Sequence, residues 1–218
     1  MLSQTEENYL KAIYTLGLSN SKSVNTTLIA QKLKTKPSSV TDMIQKLAEK
    51  ELVNYEKYKG VFLTFNGKKI AIEIVRKHRL WEVFLTNKLH YNWDEVHEIA
   101  EQLEHIKSDT LVGRLEAFLE FPKHDPHGDP IPDEHGNIAH HKKIMLSSIE
   151  PNRSCIVIGV KDSTSSFLKF LDKANIQLGR TVKVIAKEEF DNSIIIENNN
   201  SLISISNQIS KNLFVKNI

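Results

Sequence analysis

The chain has 218 residues, 40% of them hydrophobic and 26% charged, and a formal net charge of +2. That length builds one large domain or two to three small ones with real cores, and no run of about 18 apolar residues offers a membrane-spanning helix. A single cysteine, Cys155, excludes an internal disulfide and fits a reducing cytoplasm; the start, MLSQTEENYLKAIY, lacks the basic-then-apolar order of a signal peptide.

The first helix is expected from Thr5 to about Leu18, capped by Thr5, with Tyr9, Leu10, Ile13, Tyr14 and Leu16 on its apolar side. TTLIAQKL reads as a short helix, KTK as a turn, and PSSVTDMIQKLAEKE as a helix with Pro37 in its first turn and Val40, Ile44 and Leu47 facing inward. LVNYEKYKGVFLTFNG alternates as two strands. This element order is that of a winged helix-turn-helix. A long helix follows from about Lys68 to Asn87, then two more over Asp94–Lys107 and Asp109–Leu119. FPKHDPHGDPIPDEHGNIAHHKK has the composition of a linker. From Ile144 the texture changes to short β-rich runs, SCIVIGV, RTVKVIA, SIIIEN and SLISIS, around the helical SSFLKFLDKANI, as in a small β-barrel. Cys155, within CIVIGV, is expected to be a small buried residue. No internal repeat is apparent. The fold class is therefore α+β, divided as 1–66 (winged helix-turn-helix), 67–122 (helical), 123–143 (linker) and 144–218 (barrel).

Charge is segregated along this order. Residues 1–80 hold 14 Lys/Arg against 7 Asp/Glu, residues 81–140 hold 4 against 13, and residues 141–218 hold 11 against 7. A basic head suggests a polyanion, and an acidic middle suggests cations. Thr35, Lys36, Pro37, Ser38, Ser39 and Thr41 stand at the start of the presumed reading helix, where small polar side chains reach base edges and cations meet phosphates. Lys57 and Lys59 would sit on the wing. Asp42 either accepts from a cytosine amino group or faces away.

The segment EVHEIAEQLEHIKSD carries His97, Glu101, Glu104 and His105 at offsets 0, 4, 7 and 8. At about 100° per residue they fall within about 100° of one another, beside a separate apolar stripe. Imidazole and carboxylate at i, i+4 chelate divalent ions, and His78 with Glu82 forms a second such pair in RKHRLWEVFL. A sulfur-free, oxygen-rich set favours manganese or ferrous iron. Enzyme signatures are missing: neither Glu-x-x-His nor His-Glu-x-x-His occurs here, Gln102 standing three residues before His105. The linker histidines, His124, His127, His135, His140 and His141, match no compact ligand motif and read as solvated. Trp81 and Trp93 read as core or interface aromatics.

These residues carry a resemblance. TEENYLKAIY, PSSVTDMIQKLAEKELVNYEKYKGVFLT, RKHRLWEVFL, EVHEIAEQLEHIKSD and the HGDPIP turn together resemble the metal-dependent repressors of the DtxR/MntR type, and the last third looks like the SH3-like (FeoA-type) domain of their longer members. The resemblance implies a cytoplasmic homodimeric repressor that binds operator DNA of metal-uptake genes with Mn2+, alternatively Fe2+, as corepressor. It implies a primary site of Asn8, Glu101, Glu104 and His105 and an ancillary site of His78, Glu82 and His97, with Asp162 as the ligand from the C-terminal domain. Two departures stand out. Asn8 replaces the methionine or aspartate of other members, and Lys11 replaces the glutamate ligand of the short manganese-type members, against a paired-metal site. On this picture the carboxylates repel one another without metal, and the first helix is held only by its apolar side. The C-terminal domain serves as a regulatory lid or as a passive stabiliser. The rival functions are a metal-insensitive DNA-binding protein and a metal-sequestering protein.

Overall fold

The computed structural model describes residues 2–19, 23–56, 59–138 and 143–218. The chain divides into two compact units, Met1–Trp81 with Ala100–Phe118 and Ile131–Ile138, and Glu82–Ile99 with Leu119–Pro130 and Ala139–Ile218.

The first unit opens with α1 (Gln4–Ser19). Its cap is not Thr5. Ser3 Oγ accepts from the Glu6 amide at 3.3 Å and Ser3 N donates to Glu6 Oε2 at 2.9 Å, a reciprocal capping box that starts the helix at Gln4 and satisfies two otherwise orphaned donors. Helices α2 (Thr26–Lys32) and α3 (Pro37–Glu49) follow, α2 capped by Asn25 and α3 opened by Pro37. The antiparallel wing pairs β1 (Val53–Glu56) with β2 (Gly60–Leu63), and Val24 bridges to Val61 beside it. Leu10, Ile13, Val40, Ile44 and Leu47 are buried together with Val24, Ile29 and Val61, so the spacing that predicts the inward faces of α1 and α3 is realised. The wing matches the expected helix-turn-helix order, but Lys57 lies outside the described residues. So do His140 and His141.

Helix α4 (Phe65–Leu89) contributes to both units; α5 (Val96–Leu103) and α6 (Asp109–Phe118) are shorter. The expected helix over Asp94–Lys107 is trimmed at both ends. Its strip therefore does not stay on one helix face: Glu104 and His105 lie in the turn beyond Leu103, where Ile106 N bonds Leu103 O at 3.1 Å. Two pairs of polar residues, His97-Glu98 and Glu101-Gln102, leave only Val96 and Ala100 fully buried on α5, so little packing extends it.

In the second unit a six-stranded antiparallel sheet runs in the order β3-β8-β4-β5-β6-β7. Its strands are β3 (Ile144–Met145), β4 (Ser154–Val160), β5 (Thr181–Lys187), β6 (Ile194–Asn198), β7 (Ser201–Ile205) and β8 (Leu213–Asn217). Helix α7 (Ser165–Lys173) buries Leu168 and Leu171 against Val157, Val182, Val184 and Val215, and a short α8 (Asn207–Ser210) precedes the last strand. Register shifts at Val157/Gly159 and Val184/Ala186 bend the sheet around that core. Cys155 is fully buried in it, and burial pushes its thiol up to about 11.

The linker is not featureless, and it holds a duplication that inspection for long repeats misses. Asp125-Pro-His-Gly-Asp129 and Asp133-Glu-His-Gly-Asn137 fold into the same turn. In each the aspartate Oδ1 accepts from the amides two and four residues on, at 2.8 and 2.9 Å in the first copy and 2.9 and 2.8 Å in the second. In each the aspartate amide donates to the carbonyl of the fifth residue. Only the surroundings differ. Gly128 (φ +83°) packs so tightly that a Cβ would lie 2.1 Å from Ile158 O, whereas a Cβ on Gly136 (φ +80°) would meet the flexible Ile72 side chain, at 3.3 Å from Cγ2 and 3.8 Å from Cδ1.

Two outcomes follow from these packing facts. Gly128→Ala should destabilise its unit by about 2–3 kcal/mol or more and Gly136→Ala by about 1 kcal/mol, read from urea unfolding midpoints; equal losses would show that φ rather than the backbone clash decides. Cys155 should resist a thiol reagent at pH 8 in native protein and react fully in denaturant; rapid native labelling would contradict the burial.

Candidate metal centres and nucleic-acid interface

Within the first unit, α1 carries Glu7, Asn8 and Lys11 at i, i+1 and i+4, with Glu7 and Lys11 bonded to residues at the end of α5 and the turn beyond it. Glu7 Oε2 lies 2.6 Å from His105 Nδ1, with the two side chains 9% and 5% exposed. A carboxylate only accepts, so Nδ1 carries a proton, the tautomer in which a neutral ring would present its lone pair at Nε2. Nε2 in turn lies 3.9 Å from Glu104 Oε1. Glu104 is 0% exposed. Its Oε1 and the Asn8 Oδ1 are both buried without a hydrogen-bond partner among the described residues. Buried oxygens are rarely left so, because each forfeits its hydration. Two such oxygens, with a fixed imidazole lone pair beside one of them, are a donor set that fits a small hard cation. Glu7, which sequence reasoning passes over, is the residue that orients His105; its signal was its position one residue before Asn8 on a helix otherwise expected to be apolar-faced.

The other oxygen of Glu104 has a partner. Lys11 Nζ stands 2.6 Å from Glu104 Oε2, 2.9 Å from Glu101 Oε1 and 3.1 Å from His78 Nδ1, and His78 Nδ1 is itself 2.6 Å from Glu104 Oε2. The expectation that α1 is held only by its apolar side is therefore corrected: an ammonium ties it to Glu101 and Glu104. His78, expected with the ancillary set, is engaged inside the first unit. Glu101 is more open, its side chain 41% exposed.

Within the second unit, Glu82, Asp125 and His127 offer donor atoms all within 4.8 Å of one another, and all three are buried. His97 Nδ1 approaches Glu82 Oε1 at 3.4 Å. His127 was expected to be solvated; it is 5% exposed because the tight Asp125–Asp129 turn carries it inward. Its Nε2 donates to Trp93 O at 2.8 Å, its ring stacks on the Trp93 ring at 6.2 Å, and its Nδ1 faces Glu82 Oε2 at 3.7 Å. Burial opposes charge on His127, yet the Glu82 hydrogen bond and the Glu82 and Asp125 charges outweigh it and raise the imidazole to about 9. A proton thus holds the place facing Glu82, the place a cation would take. The neighbouring loop is fastened to α7: Trp93 Nε1 donates to Asp172 Oδ2 at 3.0 Å and Ser165 Oγ to Asp94 Oδ2 at 2.8 Å. Asp162, the expected ligand from the C-terminal domain, lies two residues past Val160, whose amide donates to His127 O at 3.0 Å; its Oδ1 accepts from Thr164 N at 2.9 Å. The sequence spacing held no hint of Asp125 and His127, because a turn and not a helix brings them to Glu82.

On α3, Lys36, Pro37, Ser38, Ser39 and Thr41 are exposed, together with Asp42, Gln45 and Lys46. Thr35 is half-buried and bonds the Tyr9 hydroxyl, and Thr41 Oγ1 donates back to Pro37 O at 3.2 Å. Lys59 is exposed on the wing beside Glu56. Gln45, one turn beyond Thr41, belongs to the same exposed face and was not anticipated; a Gln amide pairs well with adenine.

Comparison with known proteins agrees with this layout. Residues 1–61 match the model of the iron dependent repressor N-terminal DNA binding domain, residues 64–133 the iron dependent repressor metal binding and dimerisation domain, and residues 144–217 the FeoA domain. An HTH-type transcriptional regulator of Methanocaldococcus jannaschii is 40% identical over 119 residues, 55% of this chain and 95% of that one. The HTH-type transcriptional regulator MntR of Oceanobacillus iheyensis is 35% identical over 119 residues, 55% of this chain and 80% of its own. A manganese-dependent transcriptional repressor solved in complex with manganese superposes with a TM-score of 0.87 at 33% identity, covering 98% of this chain and 100% of that one. With its DNA-binding, metal-binding and dimerisation, and FeoA domains matched in that order, the chain belongs to the iron-dependent repressor (DtxR/MntR) family of metal-dependent transcriptional repressors, in the long form that carries a FeoA domain.

Proposed function

We propose that this chain represses metal-uptake genes in the cytoplasm as a homodimer that binds operator DNA when loaded with Mn2+. The observation that carries the proposal is that two buried oxygens, Asn8 Oδ1 on α1 and Glu104 Oε1 in the turn after α5, have no hydrogen-bond partner among the described residues, the second of them 3.9 Å from His105 Nε2. Asn8, Glu104 and His105 would hold the ion, Glu101 standing at the edge of the set. A bound divalent ion would supply two positive charges between α1 and the turn after α5. Asn8 contributes a neutral amide oxygen from α1, Glu104 and His105 contribute from the turn, and Glu7 keeps the His105 ring in the required tautomer. Because α1 packs on α2 and α3 through Leu10 and Ile13, the position of α1 sets that of the reading helix within the winged head. An oxygen and imidazole set without sulfur favours Mn2+, with Fe2+ next.

The second donor set is Glu82, Asp125 and His127, with His97 bonded to Glu82 and Asp162 proposed as a further ligand. There, Nε2 of His127 remains committed to the Trp93 carbonyl, so Nδ1 is the atom available to an ion. The dimer would form through the face of α6 that leaves Leu111 and Phe118 exposed, one above the other two turns apart. On DNA, Ser38, Ser39, Thr41 and Gln45 would read base edges, while Lys36 and Lys59 would meet phosphates.

The central experiment titrates Mn2+, Fe2+ and Zn2+ separately against operator affinity under anaerobic conditions. His105→Ala should abolish the metal response, and Glu7→Gln should weaken Mn2+ binding about 10–100-fold by releasing the ring. Metal-stripped protein that bound operator as tightly as loaded protein would end the proposal. On the DNA side, Lys36→Ala should weaken all sequences alike and lower the salt slope by about 1, whereas Gln45→Ala should relax discrimination by about 1–3 kcal/mol at one base position. A sequence-specific loss on Lys36→Ala would mean the roles are misassigned.

A further inference from the structure

The Lys11 ammonium takes no part in holding an ion in the site just described, yet it sits inside the donor cluster. Its side chain is 13% exposed, and it donates to Glu104 Oε2 and Glu101 Oε1, with His78 Nδ1, which faces the same Glu104 Oε2, standing 3.1 Å away. Glu104 is thereby split between two surroundings. Oε2 is shared by Lys11 and His78, while Oε1 has no hydrogen-bond partner among the described residues and lies 3.9 Å from His105 Nε2. One carboxylate separates two cation positions, and one of the two is filled by the chain itself.

We propose that Lys11 is a tethered cation standing where a second divalent ion would otherwise bind, so that the first cluster takes one ion, and that the same ammonium keeps α1 docked when no ion is present. This deepens the metal-responsive function proposed above and rests on it. Charge balance favours the count. Glu7, Glu101 and Glu104 bring three negative charges and Lys11 one positive, leaving two for one divalent ion to neutralise; Lys107, 3.8 Å from Glu7, has a side chain 43% exposed and is screened by solvent. Exchanging Lys11 for glutamate would leave four, a match for two ions, and would add a hard oxygen donor where the ammonium stood. Docking follows from burial: Glu104 is fully buried, so in the absence of metal it needs a cation beside it, and Lys11 reaches it from α1.

The test counts Mn2+ bound to the full chain by equilibrium dialysis and elemental analysis, with and without the paired changes Asn8→Ala and His105→Ala; the difference is the number of ions in the first cluster. The expected difference is one. A difference of two overturns the proposal and leaves the metal-responsive function standing, while zero overturns it together with the first metal site. Lys11→Glu should raise the difference to two, and a folded variant that still shows one also overturns the proposal. If that variant does not fold, the unmodified chain and Lys11→Met decide. In metal-free protein, Lys11→Met should speed amide exchange along α1 by about tenfold or more, while Lys11→Arg should not; unchanged exchange in Lys11→Met overturns the docking role. None of these counts uses DNA, so a failed operator experiment leaves them interpretable.

Discussion

Burial of the Glu104 carboxylate is the constraint on which the first unit turns. A carboxylate at 0% exposure is not tolerated without compensation, and the chain compensates one oxygen and not the other. Lys11 on α1 meets Oε2, and with it the helix that supports the reading head is bonded to the turn after α5. Oε1 remains unmatched, next to an imidazole that Glu7 holds ready. On the proposed reading the cluster carries its own cation at one oxygen and leaves the other for a divalent ion.

The second unit solves the same problem differently. Glu82 is 2% exposed, and a histidine rather than a lysine faces it. The Nε2 of His127 is already fixed by the Trp93 carbonyl, so its remaining nitrogen faces Glu82 without reorientation. The same histidine stacks on Trp93, whose indole bonds α7, so the donors are continuous with the packing of the C-terminal sheet and helix. A lid that contributes to sensing and a domain that merely stabilises would both use such contacts; if the proposed second site holds an ion, Asp125 and His127 give the linker a direct part in binding it.

Much of this was legible in the residues. The 3.6 spacing of Leu10 and Ile13, and of Val40, Ile44 and Leu47, gave the head its helices, and the alternation around Gly60 gave it a wing. The i, i+4 histidine and carboxylate pairs marked the acidic middle as cation-seeking. What periodicity could not reach was non-local. It placed Glu104 and His105 on a helix that ends before them, treated His127 as solvated, and overlooked Glu7. A turn of the form Asp-x-His-Gly carries no hydrophobic period, and its two copies look alike in sequence although one is packed against Ile158 and Gly159 and the other is open.

The sequence by itself determined which elements form, which faces they bury and which donor types are available, because those depend on local propensity and on the spacing of apolar residues along the chain. Tertiary structure alone decided which donors share a cluster and what charge each one faces. The pairing of Lys11 with Glu104 spans 93 residues and that of Glu7 with His105 spans 98. No local rule fixes such distances; they follow from how the packed helices close on one another and from the need of each buried charge to find a partner.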